Sequence, residues 1–187
     1  MPAAGHDIIG IEPVNDEFNN AVKRGLSAAP KSLECKYLYD DSGSQLFEEI
    51  CNTPEYYPTR TEVQILTDCA GDIAKTVGED VEIVEFGSGA SLKTRLLLQA
   101  FRRPSVYVPV DISAQTMWRA AEALQRNFPR LVIVPTVADF TEHLHIEQRG
   151  GQGNRLLFFP GSTIGNFETA QAIELLARWR RELAPNH

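Results

Sequence analysis

The stretch Val81-Glu82-Ile83-Val84-Glu85-Phe86-Gly87-Ser88-Gly89 decides the fold, because a short apolar run ends directly in a glycine-rich turn. Similar apolar runs follow at 106–110, 131–137 and 156–159, and helical patterns separate them. Strands that alternate with helices predict βαβ units and a parallel sheet. Such strands are buried on both faces, which explains why the runs are continuously apolar. We therefore predict an α/β fold over residues 79–187.

Residues 1–78 show helical periodicity and no strand pattern, so we predict an N-terminal helical segment ahead of the sheet domain at 79–187. Helices are expected at 16–26, 42–52 and 61–77, and in the sheet domain at 91–101, 114–127 and 168–183. Pro54 and Pro58 are expected to hold the segment 54–60 extended between two of these helices.

Composition excludes several classes of protein. The 187 residues contain 43% hydrophobic and 23% charged residues, which is typical of a folded globular chain. The formal net charge of −7 argues against a nucleic-acid partner held by bulk charge. No apolar run approaches the roughly 18 residues of a membrane span, so we expect no membrane partner. The three cysteines lack metal-site spacing, and we interpret them as free thiols of a cytoplasmic protein.

Polar or glycine-bearing segments stand after each predicted strand. They are Gly87-Ser88-Gly89, Asp111, Asp139 and the segment 161–166. In an open α/β sheet, ligands bind outside the carboxyl ends of the strands. We therefore expect these segments to meet at one ligand site.

The glycine turn and Asp111 favour an adenosyl ligand. Gly87 and Gly89 let backbone approach a ligand closely, and Asp111 stands at a suitable distance for ribose hydroxyls. Leu92 replaces the third glycine of a dinucleotide fingerprint, which makes a nicotinamide oxidoreductase the weaker alternative. A structural alternative remains open, in which the glycines form a tight turn and Asp111 caps the next helix.

Two further segments have both a functional and a structural interpretation. The polar segment 161–166 offers backbone and amide donors, or Ser162 or Asn166 simply caps the last helix. Tyr56 and Tyr57, flanked by prolines, are either presented to a ligand or packed against the N-terminal helices. His143 and His145 suggest no third ligand, so no metal site is predicted.

Together these motifs resemble the histidine-specific, S-adenosylmethionine-dependent methyltransferases, which make hercynine in ergothioneine biosynthesis. The resemblance covers residues 20–185. It is carried by Pro30-Lys31-Ser32-Leu33, Tyr39-Asp40, Gly43-Ser44, Leu46-Phe47, Pro54-Glu55-Tyr56-Tyr57-Pro58-Thr59-Arg60-Thr61-Glu62, Glu85-Phe86-Gly87-Ser88-Gly89, Lys93-Thr94-Arg95, Pro109-Val110-Asp111, Ala138-Asp139-Phe140 and Gly161-Ser162-Thr163-Ile164-Gly165-Asn166.

The resemblance implies a class-I, Rossmann-like methyltransferase fold with S-adenosylmethionine as cofactor. The residues that match cofactor positions are Gly87, Lys93, Asp111, Asp139, Phe140 and Gly161, and Ser88 and Gly89 of the same turn are predicted with them. By resemblance, Lys93 meets the methionine carboxylate and Asp111 the ribose diol. Asp139 then meets the adenine amine, with Phe140 beside the ring.

The same resemblance implies L-histidine as the substrate. Tyr39, Phe47, Tyr56 and Asn166 match substrate-pocket positions, Asn166 at the amino-acid end. The N-terminal segment 1–78 is therefore expected to contribute to the substrate pocket. The expected reaction is three successive methyl transfers to the α-amino nitrogen. Tyr39, Tyr56 and Asn166 are the predicted catalytic residues. The hydroxyl of Tyr39 or Tyr56 is expected to accept the proton that the amine loses, directly or through a water.

The chain also departs from the family, whose members continue well beyond this length. We expect the C-terminal strands and the substrate subdomain to be missing, and the fourth strand to lack a neighbour. That would make the chain a truncated product, or one completed by a strand-donating partner or a swapped dimer. The alternatives in function are a cofactor-binding module without independent catalysis, and a relative that methylates another amine such as a tryptophan derivative.

Overall fold

The computed structural model describes residues 14–89, 91–149 and 153–184. The chain separates into two compact units, with the division between Leu38 and Tyr39. No helix within the described ranges is long and apolar enough to cross a membrane.

The first unit contains helix α1 (Val14–Ser27) and a short 3-10 helix at Cys35–Leu38. The two are joined by Lys36, whose Nζ lies 2.9 Å from Glu17 Oε1. The rings of Phe18 and Tyr37 also meet, with centroids 5.1 Å apart. The helix predicted at 16–26 is confirmed and is slightly longer.

The second unit is built on a parallel sheet, as predicted. Its strands are β1 (Glu82–Phe86), β2 (Val106–Asp111), β3 (Val132–Ile133), β4 (Thr136–Val137) and β5 (Arg155–Phe158). The order is β3-β2-β1-β5, and β4 also pairs with β2. The chain thus leaves β1 toward one side and returns on the other side as β5. In open α/β sheets the ligand crevice lies at such a reversal, outside the carboxyl ends of the two strands, which are β1 and β5 here.

The strand predicted at 131–137 is instead split into β3 and β4. Pro135 is the cause, because it has no N–H to donate to the ladder. Val134 N still donates to Tyr107 O at 2.9 Å, and pairing resumes at Thr136. Among the described strands, β5 pairs with β1 alone.

The helices of this unit are α2 (Asp41–Cys51), α3 (Pro58–Val77), α4 (Leu92–Ala100), α5 (Ala114–Asn127) and α6 (Thr169–Glu182). The prediction that 54–60 is extended was wrong at its end, because α3 begins at Pro58. Proline is well tolerated at the first helical position, where its missing N–H has no intrahelical partner to lose.

Apolar clusters cover both faces of the sheet. One contains Ala70, Ile83, Leu97, Leu98, Tyr107 and Leu124, from β1, β2, α3, α4 and α5. The other contains Val84, Phe86, Val108, Leu175 and Trp179, from β1, β2 and α6. Every residue of β1 is buried, as expected for a central parallel strand.

Helices α2 and α3 lie in the same compact unit as the sheet, because the division falls at residue 38. Helix α3 packs against α4. That residues 1–78 contribute to a substrate pocket stays a prediction about function.

Candidate functional site

The glycine turn after β1 has the backbone conformation that its sequence demands. Gly87 has φ 65° and Gly89 has φ 45°, in the region that side chains disfavour. Gly87 N donates to Val110 O at 2.9 Å, which ties the turn to β2. A Cβ added at Gly87 would lie 3.8 Å from Thr163 Oγ1, so the loop after β5 approaches this turn. Helix α4 starts only at Leu92, shortly after the turn.

Asp111, the last residue of β2, points into the glycine turn. Its Oδ2 accepts from Gly89 N at 3.0 Å, and its Oδ1 accepts from Ser113 N at 2.9 Å. Ser113 is itself the N-cap residue of α5, and Asp111 does not bond to the first helical turn beyond it. The structural alternative in which Asp111 caps this helix is therefore wrong, and Asp111 and the turn share one corner of the sheet edge.

Asp139 and Phe140 stand at the same edge, one strand further out. Val137 of β4 pairs with Asp111, and the chain reaches Asp139 two residues later. Asp139 Oδ1 accepts from the Thr141 N–H at 2.8 Å and from the Thr141 hydroxyl at 2.5 Å. The ring of Phe140 stacks on Phe86 with centroids 5.0 Å apart and planes 7° apart. Phe140 is half-buried and rests on the core.

The loop after β5 closes the crevice from the other side. Gly161 has φ 88° and Ser162 has φ 62°, and a 3-10 helix follows at Thr163–Asn166. Helix α6 is capped by Glu168, through a reciprocal capping box with Gln171. The alternative in which Ser162 or Asn166 caps that helix is therefore wrong.

An ion pair joins helices α3 and α4. Lys93 Nζ lies 2.7 Å from Glu62 Oε2, and Gly161 N donates to Glu62 Oε1 at 2.7 Å. A Cβ added at Gly161 would lie 3.1 Å from Lys93 Nζ. Lys93 thus lies beside Gly161, and its contact with the methionine carboxylate stays a prediction.

Three of the predicted substrate residues form one aromatic group. The rings of Tyr39 and Phe47 lie 5.7 Å apart, and those of Phe47 and Tyr56 lie 5.8 Å apart, both edge to face. Burial raises the pKa of the Tyr56 hydroxyl, and the nearby Cys51 and Glu62 raise it further. Tyr56 is therefore a neutral hydroxyl at physiological pH, within electrostatic reach of Glu62.

Asn166 and Tyr57 are placed differently. Asn166 is exposed at the end of its 3-10 helix, and no contact among the described residues joins it to the aromatic group. Tyr57 is 66% exposed, so the packed role considered for it is not what the structure shows. The role of Asn166 stays a prediction.

The family model for histidine-specific, S-adenosylmethionine-dependent methyltransferases matches residues 18–187. This chain belongs to that family. Histidine N-alpha-methyltransferase of Mycolicibacterium smegmatis is 43% identical over 171 residues, covering 88% of this chain and 51% of the relative. Ergothioneine biosynthesis protein 1 of Neurospora crassa is 30% identical over 191 residues, covering 96% of this chain and 22% of the relative.

A solved structure supports the fold. The plantazolicin methyltransferase BamL, in complex with SAH and a triazolic desmethylPZN analogue, matches with TM-score 0.53 and 13% identity. The match covers 92% of this chain and 57% of that chain. The predicted Rossmann-like methyltransferase fold is thereby confirmed. The chain spans about half the length of the histidine methyltransferases it matches.

Sequence reasoning missed a buried carboxyl beneath the glycine turn of this methyltransferase family member. Glu85 is 1% exposed and accepts hydrogen bonds from the hydroxyls of Thr94 and Tyr107. Burial raises its pKa to about 7, against the lowering influence of these hydroxyls and of Lys93. A polar residue inside the apolar run 81–86 was the available signal.

Glu62 was also missed as a site residue, although it ends the proline-rich stretch that carries the resemblance. The hydroxyl of Ser88, in the turn, is buried and has no hydrogen-bond partner within the described part of the chain. In the same described ranges, no three His, Cys, Asp or Glu side chains are grouped to hold a metal ion.

Proposed function

We propose that this chain binds S-adenosylmethionine and methylates the α-amino group of L-histidine, three times in succession, to give hercynine for ergothioneine biosynthesis. One observation carries the proposal. The Asp111 carboxylate, the glycine turn and Lys93 stand around the crevice between β1 and β5, in a chain of the histidine-specific methyltransferase family.

The residues present fit this cofactor. Each carboxylate oxygen of Asp111 accepts one backbone N–H and retains acceptor capacity for a ribose hydroxyl. A carboxylate already lies between Lys93 Nζ and the Gly161 N–H, so this corner accommodates an anion such as a methionine carboxylate. Asp139 and Phe140 offer an acceptor and a ring face for adenine.

The methyl group comes from the sulfonium of the bound cofactor, so the chain has mainly to position the amine. A neutral amine lone pair must face that methyl group, and holding it there supplies most of the rate enhancement. Tyr56, kept protonated by burial, can accept a hydrogen bond from the amine and orient its lone pair. The α-ammonium group of bound histidine first loses one proton to give the neutral amine, and the first two transfers each release one more. These three protons pass to water beside the tyrosines. The third transfer leaves a fixed positive charge.

The direct test is mass spectrometry of L-histidine incubated with the chain and S-adenosylmethionine. We expect mono-, di- and trimethylated histidine, and no methylation of tryptophan under the same conditions. Methylated tryptophan together with unmodified histidine would show that the substrate is another amine. Cofactor binding without any methylated product would show that the chain is a cofactor-binding module without independent catalysis.

Asn166 gives a second test within the same assay. Asn166→Ala should raise the KM for histidine about tenfold and change affinity for S-adenosylhomocysteine by less than about twofold, because one amide hydrogen bond to a charged amino acid is lost. The exposed Asn127→Ala serves as the control. Equal losses of substrate and cofactor affinity would contradict a substrate role for Asn166.

Partner and compartment are part of the proposal. The side of β5 away from β1 is unpaired among the described strands, which supports a strand-donating partner or a swapped dimer. Light scattering with size-exclusion chromatography measures this directly. Within the described residues the three cysteines form no disulfide, which supports a reducing cytoplasm.

A further inference from the structure

Glu62 lies at the meeting point of three elements of the crevice. It extends from the first turn of α3, and its two oxygens reach Lys93 of α4 and the backbone of Gly161 after β5. The side chains of Lys93 and Glu62 are 20% and 26% exposed, so both are partly shielded from water and remain accessible. The Glu62 carboxylate and the Lys93 ammonium are thus available together to a ligand.

The fold alone explains this pair poorly. Lys93 stands in the first turn of α4, where the helix dipole disfavours a cation. Its ammonium also lies against Gly161, where a Cβ would be 3.1 Å away. A partly exposed ion pair contributes at most about 1 kcal/mol to stability. The Lys93 ammonium stands where the helix dipole disfavours it, and its ion pair with Glu62 adds little to stability. This combination indicates that Lys93 and Glu62 bind a ligand.

The chemistry of the pair matches an amino-acid zwitterion. Such a group carries an ammonium and a carboxylate on one carbon atom, and it requires one anion and one cation side by side. Lys93 supplies the cation, the Gly161 N–H supplies a second donor, and Glu62 supplies the anion. Charge-assisted hydrogen bonds of this kind are the strong ones in proteins.

We propose that Glu62 is a further cofactor-binding residue, whose carboxylate receives the α-ammonium group of the cofactor while Lys93 receives its α-carboxylate. The inference rests on the proposed function, since it assumes that S-adenosylmethionine occupies the crevice. On binding, the Glu62–Lys93 pair exchanges part of its mutual contact for contacts with the zwitterion, and no charge is left unpaired.

The experiment compares two ligands by isothermal titration calorimetry. S-adenosylhomocysteine carries the zwitterion, and 5′-methylthioadenosine has the same adenosine and thioether without it. For Glu62→Gln we expect affinity for S-adenosylhomocysteine to fall roughly tenfold to a hundredfold. Affinity for 5′-methylthioadenosine should change by less than about twofold, which also shows that the variant is folded. Asp68→Asn, further along α3, should leave both affinities unchanged.

Each other outcome is decisive. An equal loss for both ligands makes Glu62 structural and overturns the inference. Unchanged or tighter binding of S-adenosylhomocysteine also overturns it, because Glu62 would then be a bystander or a competitor for Lys93. A wild-type chain that binds neither ligand overturns the proposed function itself.

Discussion

The two ends of strand β1 carry buried glutamates, and the chain treats them differently. At the amino end, Glu82 Oε1 lies 2.7 Å from the Arg155 guanidinium, and Oε2 accepts from Arg149 N at 2.7 Å. At the carboxyl end, Glu85 accepts from the neutral hydroxyls of Thr94 and Tyr107. Both glutamates are 1% exposed.

One end of β1 is thus joined to the neighbouring strand by an ion pair, and the other end leads into the glycine turn. Glu82 and Arg155 are partners in the register between β1 and β5, so their ion pair joins the strands on either side of the crevice. Within the described residues, the hydrogen-bond partners of Glu85 include no cation, and Glu85 stands two residues before the glycine turn that Asp111 holds. Glu82 and Glu85 are equally buried, and they differ in whether the side chain that they contact is charged.

Breaking the ion pair at the amino end should have the largest effect. Arg155→Met leaves the Glu82 carboxylate buried without its counter-charge, so we expect the free energy of unfolding to fall by about 3–5 kcal/mol. Urea denaturation measures the loss. The control is Arg103→Met, since Arg103 is 65% exposed and pairs with Glu79 and Asp80. That variant should lose less than about 1 kcal/mol, and similar losses for both would remove the contrast.

The carboxyl end should respond to pH. Glu85 has its pKa raised from 4.5 to about 7 in the folded chain. Its contribution to stability is therefore fully present below pH 4.5 and is lost as the pH rises through 7, for a total of roughly 3 kcal/mol.

Glu85→Gln should abolish this contribution, because glutamine can still accept the two hydroxyls and does not titrate. The quantity to measure is the difference in unfolding free energy between wild type and variant, at pH 5 and pH 8. We expect the wild type to lose stability relative to the variant at the higher pH. Glu122→Gln, at an exposed position of α5, is the control. A pH-independent difference would show that Glu85 does not titrate as described.

Removing the charge of Asp111, at the end of β2, should have the smallest of the three effects. It should change ligand affinity. Asp111→Asn should weaken S-adenosylhomocysteine roughly tenfold to a hundredfold, because an amide has one acceptor oxygen where the carboxylate has two. Calorimetry gives the affinity. Asp41→Asn is a matched control, since Asp41 accepts from the Ser113 hydroxyl at 2.8 Å beside the same corner. If Asp111→Asn binds S-adenosylhomocysteine as tightly as the wild type does, the cofactor does not bind at this edge of the sheet.

Much of this architecture is local and could be predicted from the sequence. Apolar runs ending in Gly87, Asp111 and Asp139 predict parallel strands whose ends meet, and the structure brings those ends to one edge. Local patterns also predict the helices, apart from the few residues at which α3 begins early on Pro58.

The parts that could not be predicted depend on distant partners. Glu62 meets Lys93 across 31 residues and Gly161 across 99, and no periodicity encodes such a contact. The hydroxyl of Tyr107 meets Glu85 across 22 residues, on the neighbouring strand. The split between β3 and β4 was readable in principle, because Pro135 interrupts the apolar run.

The packing around Phe140 has a practical consequence for spectroscopy. Trp179 donates its indole N–H to Phe140 O at 2.9 Å, and its ring meets Phe86, on which Phe140 stacks. The second tryptophan of the chain, Trp118, is 49% exposed on α5. One native fluorophore therefore lies against Phe140, the residue predicted to stand beside the adenine ring, while the other faces solvent and serves as an internal reference. Occupancy of the ring face of Phe140 becomes visible as an emission change without any attached dye.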